Sequence, residues 1–278
     1  SLCERFLSPL PWAKYYQFAV PGVGGAMENI SLVSWDSMFL FDDVMHADWH
    51  RIVDQINLHE MAHTWFGDLI VCKEYAHVWL KESWATYMEV VWLEEEQGKE
   101  EGEYESLNKR RLYFDEVKTR YSRPIATRKF DTPWQMYDRH LYPGGAVRLH
   151  MLRKKLGTEV FWTAVRDYIQ TYAEQTVDTA DFRKILEKHS GRNLNKFFDQ
   201  WIWRAGYPKI TVTHTHYPKK NQICLSVTQK PVGNKDVLFD FEVVVAFESN
   251  ESTWQTHTLQ IKEQKHNFYF NVSDAPKQ

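Results

Sequence analysis

The sequence predicts an α+β chain in two parts: a mostly helical portion over residues 1–207 and a small antiparallel β domain over 208–278. Three observations carry this. Apolar residues recur at three- and four-residue steps from Trp49 to Trp65 and again from Leu80 onward, the period of an amphipathic helix. After Gly206-Tyr-Pro208 the character changes to β-branched and aromatic runs separated by turn residues. With 278 residues, 43% of them hydrophobic, the chain can bury one sizeable core and a smaller second one.

Taken in order, the first 45 residues are rich in Gly, Pro and aromatics. Their alternating patches, Tyr16 to Val20 and Ile30 to Trp35, read as short strands joined by turns. Ile52, Val53, Ile56, Met61 and Trp65 mark a helix that Gly67-Asp68 stops, and Leu69 to Cys72 reads as a strand or extended link. A second helix runs from about Leu80 into Glu94-Glu95-Glu96. The charged, glycine-punctuated stretch to Glu105 reads as a solvated helix end and loop. From Leu107 to Lys188 several amphipathic helices follow, broken at Pro124, Pro133, Pro143-Gly144-Gly145 and Gly157, with Asp178 or Thr179 as a cap. The strands expected beyond residue 207 are Ile210 to His214, Ile223 to Val227, Phe239 to Val245 and His266 to Val272.

Composition excludes several classes of function. A net charge of −3, with no basic stripe, argues against nucleic-acid binding. No apolar run reaches the roughly 18–20 residues of a membrane span, and no basic-then-apolar leader opens the chain. Cys3, Cys72 and Cys224 are few, odd in number and far apart. They fit neither a disulfide framework nor a cysteine metal site, and they lean towards a reducing, cytoplasmic compartment. Asn250-Glu-Ser252 and Asn271-Val-Ser273 match the glycosylation triplet, which has meaning only for a secreted chain.

One segment carries chemistry. His59 and His63 stand four apart on a predicted helix, so their rings leave the same face one turn apart. Two imidazoles so placed can occupy two corners of a zinc tetrahedron. Glu60, about 100° round the helix, can reach a water beside the metal without being a ligand, which is the arrangement of a metal-assisted hydrolase. By composition alone His-Glu-x-x-His arises in about 4% of shuffled chains, so a third ligand is needed. Glu82, nineteen positions after His63 at the start of the next helix, supplies it. A pair of polar residues on a helix is most often a wet face. Here Ile56, Leu58, Met61, Ala62, Trp65 and Phe66 surround the pair, and a buried pair of imidazoles with a carboxylate needs a compensating partner.

His59-Glu60-Met-Ala-His63, eighteen intervening residues and Glu82 resemble the aminopeptidase N family of zinc metallopeptidases, as do His63-Thr-Trp-Phe-Gly-Asp68 and Trp79-Leu-Lys-Glu82. Gly25-Ala26-Met27-Glu28-Asn29 is similar to that family's substrate-pairing edge strand, and Tyr142 in Leu141-Tyr-Pro-Gly-Gly-Ala-Val147 to its oxyanion tyrosine, with Tyr137 the competing candidate. Pro143-Gly144 departs from the more helical dipeptide usual there.

The resemblance implies a thermolysin-like, mostly helical catalytic domain followed by a small β-sandwich. It also implies one zinc ion per chain on His59, His63 and Glu82, with Glu60 as general base and Tyr142 as oxyanion donor. Glu28 would grip the free α-ammonium of a peptide substrate, and Gly24, Gly25, Ala26 and Met27 would line its backbone. The large β domain that usually precedes this region, and the helical domain that often follows it, would belong to a longer parent chain or be absent from a pared-down form. Two alternatives share the fold: a zinc endopeptidase or dual hydrolase, and a catalytically silent scaffold.

Overall fold

The computed structural model describes residues 2–234, 237–248 and 254–272. Contacts divide the chain into two compact units, residues 1–119 with 123–204, and residues 120–122 with 205–278. The first unit is mixed. It opens with helix α1 (Leu2–Phe6) and the strands β1 (Tyr16–Val20), β2 (Ala26–Met27) and β3 (Leu32–Asp36), which form one sheet in the order β1-β3-β2. β1 lies parallel to β3, Tyr16 opposite Leu32, while β2 runs antiparallel to β3 with Ala26 opposite Trp35. There follow α2 (Asp43–His63), β4 (Ile70–Cys72), α3 (Trp79–Glu96), α4 (Lys99–Thr119), α5 (Gly145–Leu156), α6 (Thr158–Tyr172), β5 (Gln175–Val177), α7 (Thr179–Ser190) and α8 (Asn195–Trp201).

Several boundaries differ from the sequence reading, each for a local reason. α2 starts at Asp43 rather than near Trp49, because the Asp42 carboxylate accepts from the Met45 amide and caps it. It ends at His63, so Trp65 and Phe66 lie beyond the helix. The acidic stretch after Glu96 is not a loop: only Gln97 and Gly98 interrupt the helices, and α4 carries the charges from Lys99 onward on its outer face. Pro143-Gly144-Gly145 does not break the chain. A wide turn over His140–Gly144, closed by Gly144 N–H donating to Arg139 O at 2.9 Å, runs straight into α5. An i→i+5 turn loosens the backbone where Pro143 has no N–H to give. The α7 cap is Asp178, in a reciprocal box with Asp181.

The core of this unit is aromatic and centres on α3, which is buried around most of its circumference. Trp84 stacks on Phe66 (ring centroids 4.5 Å apart) and on Phe161 (5.7 Å), and meets Phe182 edge-on. α2 packs against one side of α3 and the turn at His140–Gly144 against another. β4 pairs in parallel with β5 and anchors the link between α2 and α3.

The second unit holds β6 (Tyr207–Tyr217), β7 (Gln222–Val232), β8 (Phe241–Glu248), β9 (Trp254–Ile261) and β10 (Lys265–Asn271). They form a three-stranded antiparallel sheet, β10-β7-β6, and a β8-β9 hairpin around one cluster of Ile223, Leu225, Val227, Phe247, Leu259 and Ile261. β9 escaped the sequence reading because polar residues, Gln255, His257 and Gln260, dilute its pattern. Of the glycosylation triplets, Asn250-Glu-Ser252 and Ser273 lie outside the described residues. The three cysteines are free, and among the described residues no helix is long and apolar enough to cross a membrane.

One close approach couples the helices to the turn. A Cβ on Gly145 would fall 1.8 Å from Ser83 Oγ, and that hydroxyl donates to Leu141 O at 2.6 Å. Gly145→Ala is therefore expected to destabilise the chain by about 1–3 kcal/mol through overpacking. A urea midpoint equal to that of the parent protein would contradict this packing.

Candidate metal centre

The seam between α2 and α3 gathers His59, His63 and Glu82. Their donor atoms lie within 4.8 Å of one another. Glu82 Oε2 stands 3.5 Å from His59 Nε2 and 3.3 Å from His63 Nε2. A tetrahedral zinc ion with bonds of about 2.0–2.2 Å separates its ligand atoms by about 3.3 Å, so Glu82 Oε2 already stands from each imidazole nitrogen at the spacing of two vertices of such a polyhedron. The other ring nitrogens are spoken for. His59 Nδ1 donates to Glu89 Oε1 at 2.8 Å, and His63 Nδ1 donates to Phe66 O at 2.9 Å. A carboxylate and a carbonyl only accept, so both Nδ1 atoms carry protons and Nε2 is the nitrogen left for a metal.

Electrostatics favour a cation in this pocket. Burial works against a charged imidazole at His59, yet Glu82 and then Glu89 outweigh it and push its pKa up to about 10. His63 is raised in the same way by Glu82. Burial opposes ionisation of Glu82, but His63 and His59 hold its carboxyl well below the usual range. The donor set therefore fits a divalent metal: two neutral imidazoles and one anionic carboxylate, oriented from behind and poised to exchange protons for an ion.

Glu60 and Glu28 stand beside this set, each with a carboxylate oxygen within 4.8 Å of His63 and of the other. Glu60 is 6% exposed, and its Oε2 is buried without a hydrogen-bond partner among the described residues. Burial raises its pKa against the pull of His63 and His59. A carboxylate oxygen left unpaired in so buried a place is costly unless something absent from the protein itself completes it. Burial pushes Asp68, close by, up to about 7.

The glycine-rich segment reaches the site from the sheet edge. Gly24 (φ +71°) and Gly25 (φ +146°) have backbone angles that other residues rarely adopt. Asp36 locks them: its carboxylate accepts from Gly24 N–H at 2.7 Å, and its own amide donates to Gly25 O at 2.7 Å. Ala26 and Met27 form β2, an edge strand, and Glu28 follows on the buried side. Tyr142, in the middle of the wide turn, lies with its ring centroid 5.9 Å from that of His59 and 6.3 Å from that of Tyr137. Burial and the charge of Glu82 raise its pKa, so its hydroxyl keeps the proton and can donate. His59, Glu60, His63, Glu82 and Glu28 thus lie together, with the Tyr142 ring beside His59, while Gly24 to Met27 lead along the chain into Glu28.

Four features were not visible in the sequence. Glu89 sits behind His59 and is itself held by Lys109 at 2.6 Å. Phe66 O orients His63. Lys81 forms an ion pair with Glu28 and lies 3.2 Å from Glu82. Beneath Tyr142, Asp138 accepts from the Arg123 guanidinium and from the amides of His140 and Leu141, while His140 Nδ1 is 3.0 Å from Glu116. The seven-residue step from Glu82 to Glu89 along one helix face could have flagged Glu89; the others carried no local signal.

Comparison with known proteins agrees with this picture. A family model described as the peptidase family M1 domain matches residues 2–201. Aminopeptidase M1 of Arabidopsis thaliana is 29% identical over 222 residues, covering 75% of this chain and 24% of that protein. A probable aminopeptidase 1 of Sulfurisphaera tokodaii is 30% identical over 218 residues, covering 75% and 27%. The chain spans about a quarter of the length of the curated relatives it matches. Among solved structures, aminopeptidase A of Legionella pneumophila in complex with aspartic acid superposes with a TM-score of 0.73 at 20% identity, over 99% of this chain and 31% of that one. An M1 zinc metallopeptidase from Deinococcus radiodurans gives 0.62 at 23% identity, over 75% and 43%. These two likenesses show the fold: a mixed arrangement of helices and small sheets.

Glu89→Gln keeps the shape but removes the charge that orients and enriches His59. It is expected to weaken zinc binding about 10- to 100-fold, read by competition with a chromogenic chelator. An unchanged affinity would mean that Glu89 serves only Lys109.

Proposed function

Because the chain belongs to peptidase family M1, we propose that it forms the catalytic core of a zinc metallo-aminopeptidase, which removes the N-terminal residue from peptides. The observation that carries this reading is the meeting of His59, His63 and Glu82 at ligand distances, with the unpaired Glu60 oxygen beside them. The names of the matched relatives agree with it. Residues 1–207 then correspond to a thermolysin-like catalytic domain and residues 208–278 to a β-sandwich.

His59, His63 and Glu82 would hold one zinc ion per chain, which would supply Lewis acidity towards a carbonyl and a nearby water. Glu60 would take a proton from the attacking water and pass it to the departing amine. Its raised pKa suits both halves of the transfer, since a base poised nearer neutrality also gives the proton up readily. Tyr142 donates its hydroxyl hydrogen bond to the oxygen that gains charge as the carbonyl carbon becomes tetrahedral. A preorganised donor of this kind is typically worth about 3–4 kcal/mol of barrier. The edge strand β2 aligns the peptide backbone by adding it to the sheet, with the Gly24–Ala26 segment beside it. Glu28 faces the substrate's α-ammonium and so favours action at a chain end.

Glu60→Gln preserves size and hydrogen bonding but cannot accept a proton. It is expected to retain zinc at one ion per chain while turnover of aminoacyl chromogenic substrates falls by about 10²–10⁴-fold, measured alongside elemental analysis. Retained turnover would remove Glu60 from its role as base. Absence of zinc from the parent protein after equilibration with the metal would favour the silent-scaffold alternative.

A further inference from the structure

Helix α2 carries a second pair of histidines at the spacing of the first. His46 and His50 are four apart, as are His59 and His63. The thirteen-residue step from His46 to His59 places the two pairs about 140° apart around the helix axis. One pair is therefore turned into the seam with α3, while His46, His50 and their neighbours back to Asp43 are all exposed. The exposed rings already lean together: their centroids lie 6.0 Å apart with 40° between the planes, against 4.9 Å for His59 and His63. An ion about 2.1 Å from one nitrogen of each ring, with about 90–110° between the bonds, sets the centroids about 4.6–5.3 Å apart. Closing the exposed pair by about 1 Å takes only small side-chain rotations of the kind surface groups make freely.

The ligating nitrogen is assigned as well. His50 Nδ1 lies 3.1 Å from Ala47 O, and a carbonyl only accepts, so Nδ1 carries the proton and Nε2 is left to ligate. A backbone carbonyl orients His63 in the same way. Asp43, three residues before His46, and Asp54, four after His50, share the same face within about 80° of arc. They add negative charge and oxygen donors one turn to either side. Two imidazole nitrogens, completed by carboxylate and water oxygens, suit the tetragonal preference of late first-row divalent ions. We propose that His46 and His50 form a second metal site, an exposed clip for a divalent nickel or copper ion, separate from the centre at His59, His63 and Glu82. Once one imidazole binds the ion, the other is held beside it. Joining two weak donors in this way multiplies affinity by about 10²–10⁴ over either alone.

The test is a calorimetric titration of the untagged protein, equilibrated with zinc and desalted, with nickel chloride as the only added ion. The parent should take up one nickel ion per chain that is lost when the clip is cut, with zinc content unchanged throughout. His46→Gln and His50→Gln should each weaken that binding about 100-fold or more. The double variant should bind scarcely less than either single one, because a clip without one arm is already open. His50→Gln combined with Arg51→His keeps the number of histidines but turns one ring by about 100°. It should stay as weak as His50→Gln alone.

The site stands or falls apart from the reading of the buried centre. If that centre also takes nickel, two ions bind and one is lost with His46→Gln, which supports the clip equally. Additive losses of about threefold or less from the single substitutions, or affinity restored by Arg51→His, would mark the two rings as independent surface imidazoles and overturn the proposal. Failure of the parent to bind nickel at about millimolar ion would overturn it as well.

Discussion

Three carboxylates, Glu28, Glu60 and Glu82, are gathered out of water along the α2–α3 seam, and most of the local structure answers to that concentration of negative charge. Withdrawing even one carboxylate from solvent costs several kcal/mol unless a partner compensates it. Glu82 is compensated by two imidazoles and Glu28 by Lys81, whereas one oxygen of Glu60 has no partner among the described residues. Such a pocket is ill suited to a protein that uses it only for stability, since an apolar trio of similar size would pack at lower cost. It is well suited to receive a doubly charged ion and a water.

The scaffold holds that charge by stiffness rather than by number of contacts. Each imidazole is pinned at Nδ1, which opposes a ring flip and leaves it only small tilts. Glu89, which pins His59, is in turn fixed by Lys109 from α4, so a third helix helps to set the orientation of His59. The turn that carries Tyr142 is secured in the same manner. Asp138 binds the Arg123 guanidinium on one side and two backbone amides of the turn on the other, which lets an irregular stretch containing Pro143 hold one shape. Ser83 and Gly145 then close the gap between that turn and α3, bringing the tyrosine over His59.

The parts of this site that were legible in the sequence are those for which spacing along the chain determines spacing in space. His59, Glu60 and His63 sit on one helix, where a step of four returns to the same face, and their embedding among apolar residues announced burial. The main helices, the change to strands after Gly206 and a cap at Asp178 or Thr179 were legible for the same reason, and the structure selects Asp178. What stayed hidden depends on long-range meetings. Glu89 and Lys109 approach from two helices, Arg123 finds Asp138 across a loop, and the parallel pairing of β1 with β3 is invisible to a pattern that records only alternation. Pro143-Gly144-Gly145 misled because each residue alone favours a break; the wide turn satisfies all three without one.

Lys81 and Glu82 illustrate how far adjacent residues can diverge in function. Neighbours on a helix point about 100° apart, so one carboxylate faces the imidazoles while the preceding amine is directed along the seam towards β2. The two side chains also differ in freedom. Glu82 and the two histidines are short, and they are fixed at more than one atom. Lys81 is a point charge on a flexible four-carbon stem, held at its tip by carboxylates and along its length by the space over Gly67. A site composed this way has a rigid half around the two imidazoles and an adjustable half around the lysine. Substitution among the short, doubly held side chains therefore disturbs the arrangement more than a change confined to the lysine.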